Sequence, residues 1–248
     1  MKTTQTALAA ILALAVLPFG ASAKEPAPAR ETPRIHSYVL LDRTGSMESR
    51  WTEALSSVNA YATGLASLDG GPKVNAEITL AVFDSQDGLK FDVIRNDVNA
   101  AQWKKVTNDD ASPRGMTPLY DAIGHMVSLA EQDHPEKAVL VIMTDGEENA
   151  SKEITKAGAK AALDRARARG WEVVFLGAEF ANFNDAEGVG NSASRNMAVT
   201  KDQLSDSMNR LAQKSRNYAS GAAPTVEWNE ADRKAAKEDE VKKQQGQH

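Results

Sequence analysis

The chain has 248 residues, of which 42% are hydrophobic and 25% charged, a composition typical of a globular protein with one main domain. It contains no cysteine, which excludes disulfides, thiolate metal sites and a cysteine nucleophile. The net charge of −5 argues against binding to nucleic acid, which requires concentrated positive charge.

The amino-terminal segment has the pattern of an export signal followed by a linker. Lys2 precedes an unbroken apolar run from Ala7 to Leu17, which is too short to span a bilayer, and Ala21-Ser22-Ala23 fits a cleavage site. We therefore predict a signal peptide at 1–23 and an extended, proline-rich linker at 24–34. The expected location is periplasmic or secreted, and no later segment is apolar enough to suggest a membrane anchor.

Beyond the linker, a domain predicted at 35–220 alternates strand patterns with amphipathic helical patterns. The predicted strands are 35–41, 77–83, 89–94, 138–143, 171–176 and 197–199. The predicted helices are 49–67, 100–106, 117–131, 154–169 and about 201–219. Continuously apolar strands are typical of a parallel sheet covered on both faces, and Asp87-Gly88 indicates a hairpin that adds one antiparallel edge strand. The predicted fold is thus a three-layer, doubly wound α/β domain with a mainly parallel, Rossmann-like sheet.

The carboxyl-terminal segment, 221–248, is highly charged. Residues 229–243 carry five acidic and five basic side chains. This pattern predicts a solvated helix or a disordered tail.

Two of the apolar strands end in a carboxylate, Asp42 after the first strand and Asp145 after 138–143. Ligands of open α/β sheets bind at the carboxyl ends of the strands, so both aspartates are expected at one edge of the sheet. Two carboxylates that close together would repel each other unless a cation lay between them.

Hydroxyl groups accompany these carboxylates. Thr44 and Ser46 follow Asp42 at alternate positions, so the three side chains can face one ion, and Thr117 lies in a third loop, where it is the predicted N-cap of a helix. Carboxylate and hydroxyl oxygens are hard ligands suited to Mg²⁺ or Mn²⁺. The sequence therefore predicts a Mg²⁺ (or Mn²⁺) site formed by Asp42, Thr44, Ser46, Thr117 and Asp145.

These three segments resemble the metal-ion-dependent adhesion site of the von Willebrand factor type A domain family. The family motif Asp-x-Ser-x-Ser corresponds to Asp42-Arg43-Thr44-Gly45-Ser46-Met47, with a threonine in place of the usual first serine. The lone threonine of the family corresponds to Thr117 in Gly115-Met116-Thr117-Pro118-Leu119-Tyr120-Asp121-Ala122, and the final aspartate to Asp145 in Thr144-Asp145-Gly146.

The resemblance implies a role for each site residue. Thr44 and Ser46 would bind the metal directly and Thr117 conditionally, while Asp42 and Asp145 would supply charge, partly through water. It also implies a protein partner whose exposed Asp or Glu side chain completes the coordination. The oligomeric state stays open.

Other polar residues near the motifs have simpler interpretations. Glu147 and Glu148 are interpreted as solvated rim charges, and Asp121 as a loop-supporting or simply exposed residue. Asp84 is expected near the same edge but is not assigned to the site. The four histidines show no zinc-ligand spacing and are interpreted as structural or surface residues; they are His36, His125, His134 and His248.

Three functions compete on this sequence. The leading one is a metal-dependent protein-binding module without catalytic residues, and hence not an enzyme. The alternative is a Mg²⁺-dependent phosphohydrolase with Asp42 as nucleophile, although such enzymes usually carry a second aspartate where this chain has Thr44. A third possibility is a scaffold in which the metal only orders the loops.

Overall fold

The computed structural model describes residues 31–178 and 183–245. The predicted signal peptide and the linker up to residue 30 lie outside these residues. The described residues from Thr32 onward form one compact unit. Within the described part of the chain, no helix combines the length and apolar character that crossing a bilayer requires.

Six strands and seven α-helices form the described fold. The strands are β1 Arg34–Asp42, β2 Asn75–Ser85, β3 Leu89–Asn99, β4 Ala138–Thr144, β5 Glu172–Ala178 and β6 Asn196–Val199. The helices are α1 Trp51–Ala66, α2 Leu119–Asp133, α3 Lys156–Ala168, α4 Asn184–Gly188, α5 Leu204–Ser220, α6 Glu230–Ala235 and α7 Glu238–Gln245. The helix predicted at 100–106 is only a short 3₁₀ turn, Ala100–Gln102, because the backbone of Trp103, with a ψ of 122°, is no longer helical.

The strands form one sheet in the order β3-β2-β1-β4-β5-β6. All neighbouring pairs are parallel except β2 with β3, which is the predicted hairpin. The chain adds strands to one side of β1 and then, from β4 onward, to the other side. The gap between β1 and β4 is therefore the topological switch point, where doubly wound sheets bind their ligands. The predicted fold class is confirmed.

Alternate residues of β1 face the two helical layers. Val39 and Leu41 pack in the core shared with α1 and α5, whereas Tyr38 and Leu40 pack in the core shared with α2 and α3. All four side chains are fully buried, and each such burial stabilises the fold by about 2 kcal/mol. Since β1 is covered on both faces, its carboxyl end is held rigidly in the middle of the sheet.

In the carboxyl-terminal segment, where a solvated helix or a disordered tail was predicted, the described residues form the helices α6 and α7, which are partly exposed but pack on the domain. A capping box with Asn229 at the N-cap starts α6. The side chains of Trp228 and Val241 are both buried. Glu238, at the start of α7, accepts a hydrogen bond from the Ala198 N–H of β6 at 3.3 Å. The segment thus covers the edge strand, whose backbone groups would otherwise be unpaired.

Candidate metal centre

The candidate site lies at the switch point. Asp42 is the last residue of β1 and is fully buried, and Asp145 directly follows the neighbouring strand β4. Leu41 and Met143 are register partners, which places both carboxylates at the same edge. The prediction that the two aspartates meet at the carboxyl ends of their strands agrees with this geometry.

The first loop is folded by its own polar side chains. Asp42 Oδ1 accepts a hydrogen bond from the Thr44 N–H at 2.7 Å, which turns the chain immediately after β1. Thr44 then precedes a 3₁₀ helix, Gly45–Arg50, in which Met47 is fully buried and anchors the loop to the core. The hydroxyls of residues 44 and 46 consequently face the switch point.

Backbone hydrogen bonds tie the three loops together. The Gly45 N–H donates to Gly115 O at 3.2 Å, and the Asn149 N–H donates to Thr117 O at 3.0 Å. Gly115 has a φ of +72°, and a Cβ there would lie 2.5 Å from Ser85 O, so this close approach requires glycine. Backbone contacts, rather than side chains, therefore fix the position of the second loop.

Helix α2 begins at Leu119, two residues after the start of the helix predicted at 117–131. Its N-cap is Pro118, so Thr117 does not act as the predicted N-cap. Proline lacks an N–H and has a restricted backbone, which pushes the preceding residue out of the helix. The Thr117 hydroxyl is therefore available to the site.

The hydroxyl groups and Asp145 form a continuous chain of contacts. Ser46 Oγ donates to Asp145 Oδ1 at 2.8 Å, and Thr44 Oγ1 lies 3.1 Å from Ser46 Oγ. Thr117 Oγ1 lies 3.4 Å from Thr44 Oγ1. All five predicted site residues are thus brought together, with Asp42 joined to the others through Thr44.

These distances fit a hard divalent cation. Oxygens at adjacent positions around an octahedral Mg²⁺, each bound at about 2.05 Å, lie about 2.9 Å apart. The three hydroxyl and carboxylate contacts span 2.8 to 3.4 Å, close to that spacing. A Cβ at Gly146 would lie 3.2 Å from Thr117 Oγ1 and 3.6 Å from Ser46 Oγ, so the space between the donors depends on the absence of a side chain there.

Burial makes the ionised form of both carboxylates, Asp42 and Asp145, energetically unfavourable. Burial raises the pKa of Asp42 to about 6, although hydrogen bonds from the Thr144 hydroxyl and the Thr44 N–H oppose the rise, and the nearby Asp145 adds to it. Burial also raises the pKa of Asp145, against the hydrogen bond from Ser46 and the charge of Arg50. A bound cation would favour the ionised form of both groups.

Arg50 is a site residue that the motif comparison missed. Its Nη1 donates a hydrogen bond to Asp145 Oδ2, within a partly buried ion pair. The available signal was its position four residues after Ser46, on the same short helix. A guanidinium therefore lies next to the predicted metal-binding oxygens.

Two acidic residues organise the surrounding loop. Asp121 is fully buried and accepts hydrogen bonds from three consecutive backbone N–H groups, those of residues 152, 153 and 154. Glu148 accepts from the N–H groups of Tyr120 and Ser151, so its interpretation as a solvated rim charge was wrong. The predicted loop-supporting role of Asp121 agrees with the structure.

Asp84 lies at the same edge but belongs to a separate ion-pair cluster. It is fully buried near the end of β2, and its Oδ2 accepts from Arg43 Nε at 2.6 Å and from Arg114 Nε at 3.2 Å. Arg43 also reaches Asp92 at 2.5 Å. These contacts direct the Arg43 side chain away from the hydroxyl-lined space and neutralise Asp84.

An open, doubly wound sheet with an oxygen-lined crevice at its switch point defines a ligand-binding α/β domain. Residues 38–220 match the family model of the von Willebrand factor type A domain, and the chain belongs to that family. No match was found among curated protein sequences.

Several solved structures share the fold at low sequence identity. The pilus adhesin SpaC from Lactobacillus rhamnosus GG superposes with a TM-score of 0.60 at 15% identity, over 76% of this chain and 30% of that chain. The vWF domain of the type V pili tip protein Mfa5 from Porphyromonas gingivalis gives 0.56 at 10% identity, over 80% of this chain and 98% of that one.

Proximal thread matrix protein 1 from the mussel byssus also shares the fold, with a TM-score of 0.52 and 14% identity. The match covers 74% of this chain and 46% of the mussel protein. This chain thus spans less than half the length of both the mussel protein and SpaC.

Proposed function

We propose that this protein is a metal-dependent protein-interaction module of the cell envelope that presents a divalent cation to an acidic side chain of a partner. The observation that carries the proposal is the convergence of hydroxyl and carboxylate oxygens from three loops, at spacings of 2.8 to 3.4 Å. The family membership and the pilus-associated names of two fold relatives support a role in interaction or adhesion.

The residues have distinct roles in this proposal. Thr44 and Ser46 are direct ligands, Thr117 is a conditional one, and Asp42 and Asp145 supply negative charge, partly through water. When bound, Mg²⁺ or Mn²⁺ supplies an electrophilic centre that accepts an oxygen ligand. Neutral hydroxyl donors leave much of the ionic charge uncompensated, which favours a carboxylate from the partner.

The burial of Asp42 speaks against the phosphohydrolase alternative. Its carboxylate is fully buried, Oδ1 accepts from the Thr44 N–H, and Oδ2 accepts from the Thr144 hydroxyl at 2.7 Å. A nucleophile needs an accessible oxygen within reach of the substrate. In this geometry, Asp42 is a structural and electrostatic element of the site.

The apolar run and cleavage pattern at 1–23 support export, so the proposed location is the periplasm or the extracellular medium. Periplasmic and medium fractions of the native cells, probed with an antibody against the domain, would test this. Retention of the unprocessed chain in the cytoplasm would contradict it.

Metal binding can be measured directly. Mn²⁺ is titrated against the wild-type protein, and free Mn²⁺ is read from its electron paramagnetic resonance signal. The Ser46→Ala variant should bind about tenfold more weakly or worse, because it loses a direct ligand. Ser56→Ala, which removes an exposed hydroxyl from α1, is the matched control and should bind like the wild type. Equal affinities for both variants would overturn the metal site.

The partner requires a second experiment. The immobilised protein is incubated with native envelope extract in Mg²⁺ and eluted with EDTA, with Asp145→Ala as the control. A protein that binds only the wild type, and loses binding when an exposed Asp or Glu of its own is changed to Asn or Gln, supports the proposal. A metal-dependent rise in melting temperature without any metal-dependent capture would instead favour the scaffold function.

A further inference from the structure

A second polar cluster lies at the opposite edge of the sheet, around the amino-terminal ends of β1 and β4. There a cavity of about 450 Å³ is lined by His36, Glu77 and Asp97, among other residues. One ligand atom from each of these three side chains lies within 4.8 Å of the other two. His36 and Asp42 are six residues apart on β1, so this cluster is about 20 Å from the first site.

The three residues come from three adjacent strands. His36 of β1 is the register partner of Glu77 on β2. Asp97 belongs to β3, where a bulge lies between Arg95 and Val98 and gives Asp97 a left-handed φ of 51°. The bulge therefore directs a carboxylate toward the histidine from across two strands.

The His36 ring is held firmly. Its side chain is only 6% exposed, and it stacks on Tyr38 with ring centroids 4.1 Å apart. Nε2 is hydrogen-bonded to Thr79 Oγ1 at 2.9 Å. Metal-binding histidines commonly have their second ring nitrogen fixed by such a hydrogen bond.

The other ring nitrogen faces the carboxylates. His36 Nδ1 lies 3.8 Å from Asp97 Oδ1, beyond hydrogen-bonding distance, and makes no hydrogen bond to any described residue. Thr79 Oγ1 also accepts from the Asp97 N–H at 3.1 Å. One hydroxyl thus positions both His36 and Asp97.

We propose that His36, Glu77 and Asp97 bind a divalent transition-metal ion of the Zn²⁺ class. One imidazole nitrogen and two carboxylate oxygens are a donor set that suits such ions better than Mg²⁺. The remaining coordination positions face the cavity, where a water or a small anionic ligand can bind.

Binding requires the two carboxylates to move toward the histidine, since ligand atoms now up to 4.8 Å apart must approach one another by as much as about 1.5 Å. Ligands at about 2.05 Å from a tetrahedral ion lie about 3.3 Å apart, so the His36–Asp97 contact must shorten by roughly half an ångström. Asp97 and Glu77 have side chains that are 60% and 28% exposed, which leaves their carboxylates free to rotate. The buried histidine can stay in place.

The charges around the cavity are predominantly negative. Besides Glu77 and Asp97, it is lined by Asp133 and Glu136. The two lining cations compensate weakly: Arg34 is 70% exposed and lies 3.5 Å from Glu77, and Lys137 Nζ donates to backbone carbonyls at the end of α5. His134 lines the cavity as well. This environment attracts a cation.

The test uses two matched aspartate substitutions on the β2–β3 hairpin. Asp97→Asn removes a proposed ligand, while Asp87→Asn changes an exposed aspartate with a similar φ of 63°. Asparagine tolerates the left-handed region, so both variants should fold. Tag-free protein is titrated with Zn²⁺ in competition with a chromogenic chelator, in millimolar Mg²⁺ to saturate the first site.

The wild type and Asp87→Asn should bind one Zn²⁺ per chain at this site, and Asp97→Asn and Glu77→Gln should bind it about tenfold more weakly or worse. Co²⁺ should show the visible absorption of a low-coordinate site in the wild type but not in Asp97→Asn. Asp97→Asn should leave Mn²⁺ binding at the first site unchanged, which separates the two sites. Equal Zn²⁺ affinity of Asp97→Asn and Asp87→Asn, or absence of Zn²⁺ binding to the wild type, would overturn the proposal.

Discussion

Arg50 forms a partly buried ion pair with Oδ2 of Asp145, whose other oxygen accepts a hydrogen bond from Ser46. The chain therefore places a positive charge of its own against a carboxylate of the proposed metal site. A guanidinium in this position stabilises the ionised carboxylate but repels a second cation. In the proposed site, this ion pair should lower the affinity for metal.

Replacement of Arg50 by Gln should tighten Mn²⁺ binding. A unit charge about 6 Å from a divalent cation, screened as in water, costs about 1.4 kcal/mol, which corresponds to about tenfold in affinity. The control is Arg210→Gln, which removes an exposed arginine paired with Asp206 on α5. Unchanged or weaker Mn²⁺ binding by Arg50→Gln would show that the ion pair does not oppose the metal.

The contribution of Asp42 to the stability of the metal-free protein should fall as pH rises from about 4 to about 6. Burial raises the pKa of Asp42 from 3.8 to about 6, so in this interval the folded state binds more protons than the unfolded state. The stabilising contribution of the protonated carboxyl is complete below pH 3.8 and is lost as pH passes through 6; it amounts to about 3 kcal/mol.

Asp42→Asn isolates this effect. Urea unfolding in EDTA is measured for the wild type and the variant across the same pH interval. The difference between their free energies of unfolding should shift by about 3 kcal/mol toward the variant as pH rises. A constant difference would contradict the raised pKa.

Gly146→Ala should weaken metal binding with little effect on the metal-free fold. The added Cβ lies 3.2 Å from Thr117 Oγ1 and 3.6 Å from Ser46 Oγ, between the proposed ligands. We expect a loss of about tenfold in Mn²⁺ affinity and less than about 1 kcal/mol in stability. Gly45→Ala serves as the control, since its Cβ makes only an ordinary 3.7 Å contact with Gly115 O. Equal Mn²⁺ affinity of the two variants would place the metal elsewhere.

Val241→Ala tests whether α7 is part of the folded domain. Val241 is 1% exposed, so its truncation should lower the free energy of unfolding by about 2 kcal/mol. Val93→Ala, at a valine that is 40% exposed on β3, should cost less than about 1 kcal/mol. Chemical denaturation measures both. Similar small losses would mean that the carboxyl-terminal segment is a detachable tail.

The arrangement of the candidate site could be predicted because it depends on local patterns. Asp42 and Asp145 each follow a continuously apolar strand, and the carboxyl ends of parallel strands meet at one edge. The stripe of α1 at three- and four-residue steps is likewise buried as its periodicity indicates: Trp51, Leu55, Val58, Ala62 and Leu65.

The packing of the carboxyl-terminal helices was not predicted because composition does not show where a charge is paired. Asp232 is buried, and its charge is compensated by Lys214 of α5, whose Nζ lies 2.7 Å from the carboxylate. Glu238 is similarly matched by Arg233 and Lys242. A run of charges can therefore belong to a packed surface when its partners come from another element.

By itself, the sequence determined the layered α/β fold and predicted the five oxygen-bearing residues at the carboxyl ends of its strands, because hydrophobic periodicity and loop motifs are local patterns, whereas the strand order that creates the switch point came from the structure. Only the tertiary structure decided that Arg50 faces Asp145 and that His36 lies beside Glu77 and Asp97. Those contacts depend on strand register, on a single bulge in β3 and on the reach of long side chains. None of these leaves a fixed spacing along the chain, because residues that are far apart in sequence become neighbours only when the sheet forms.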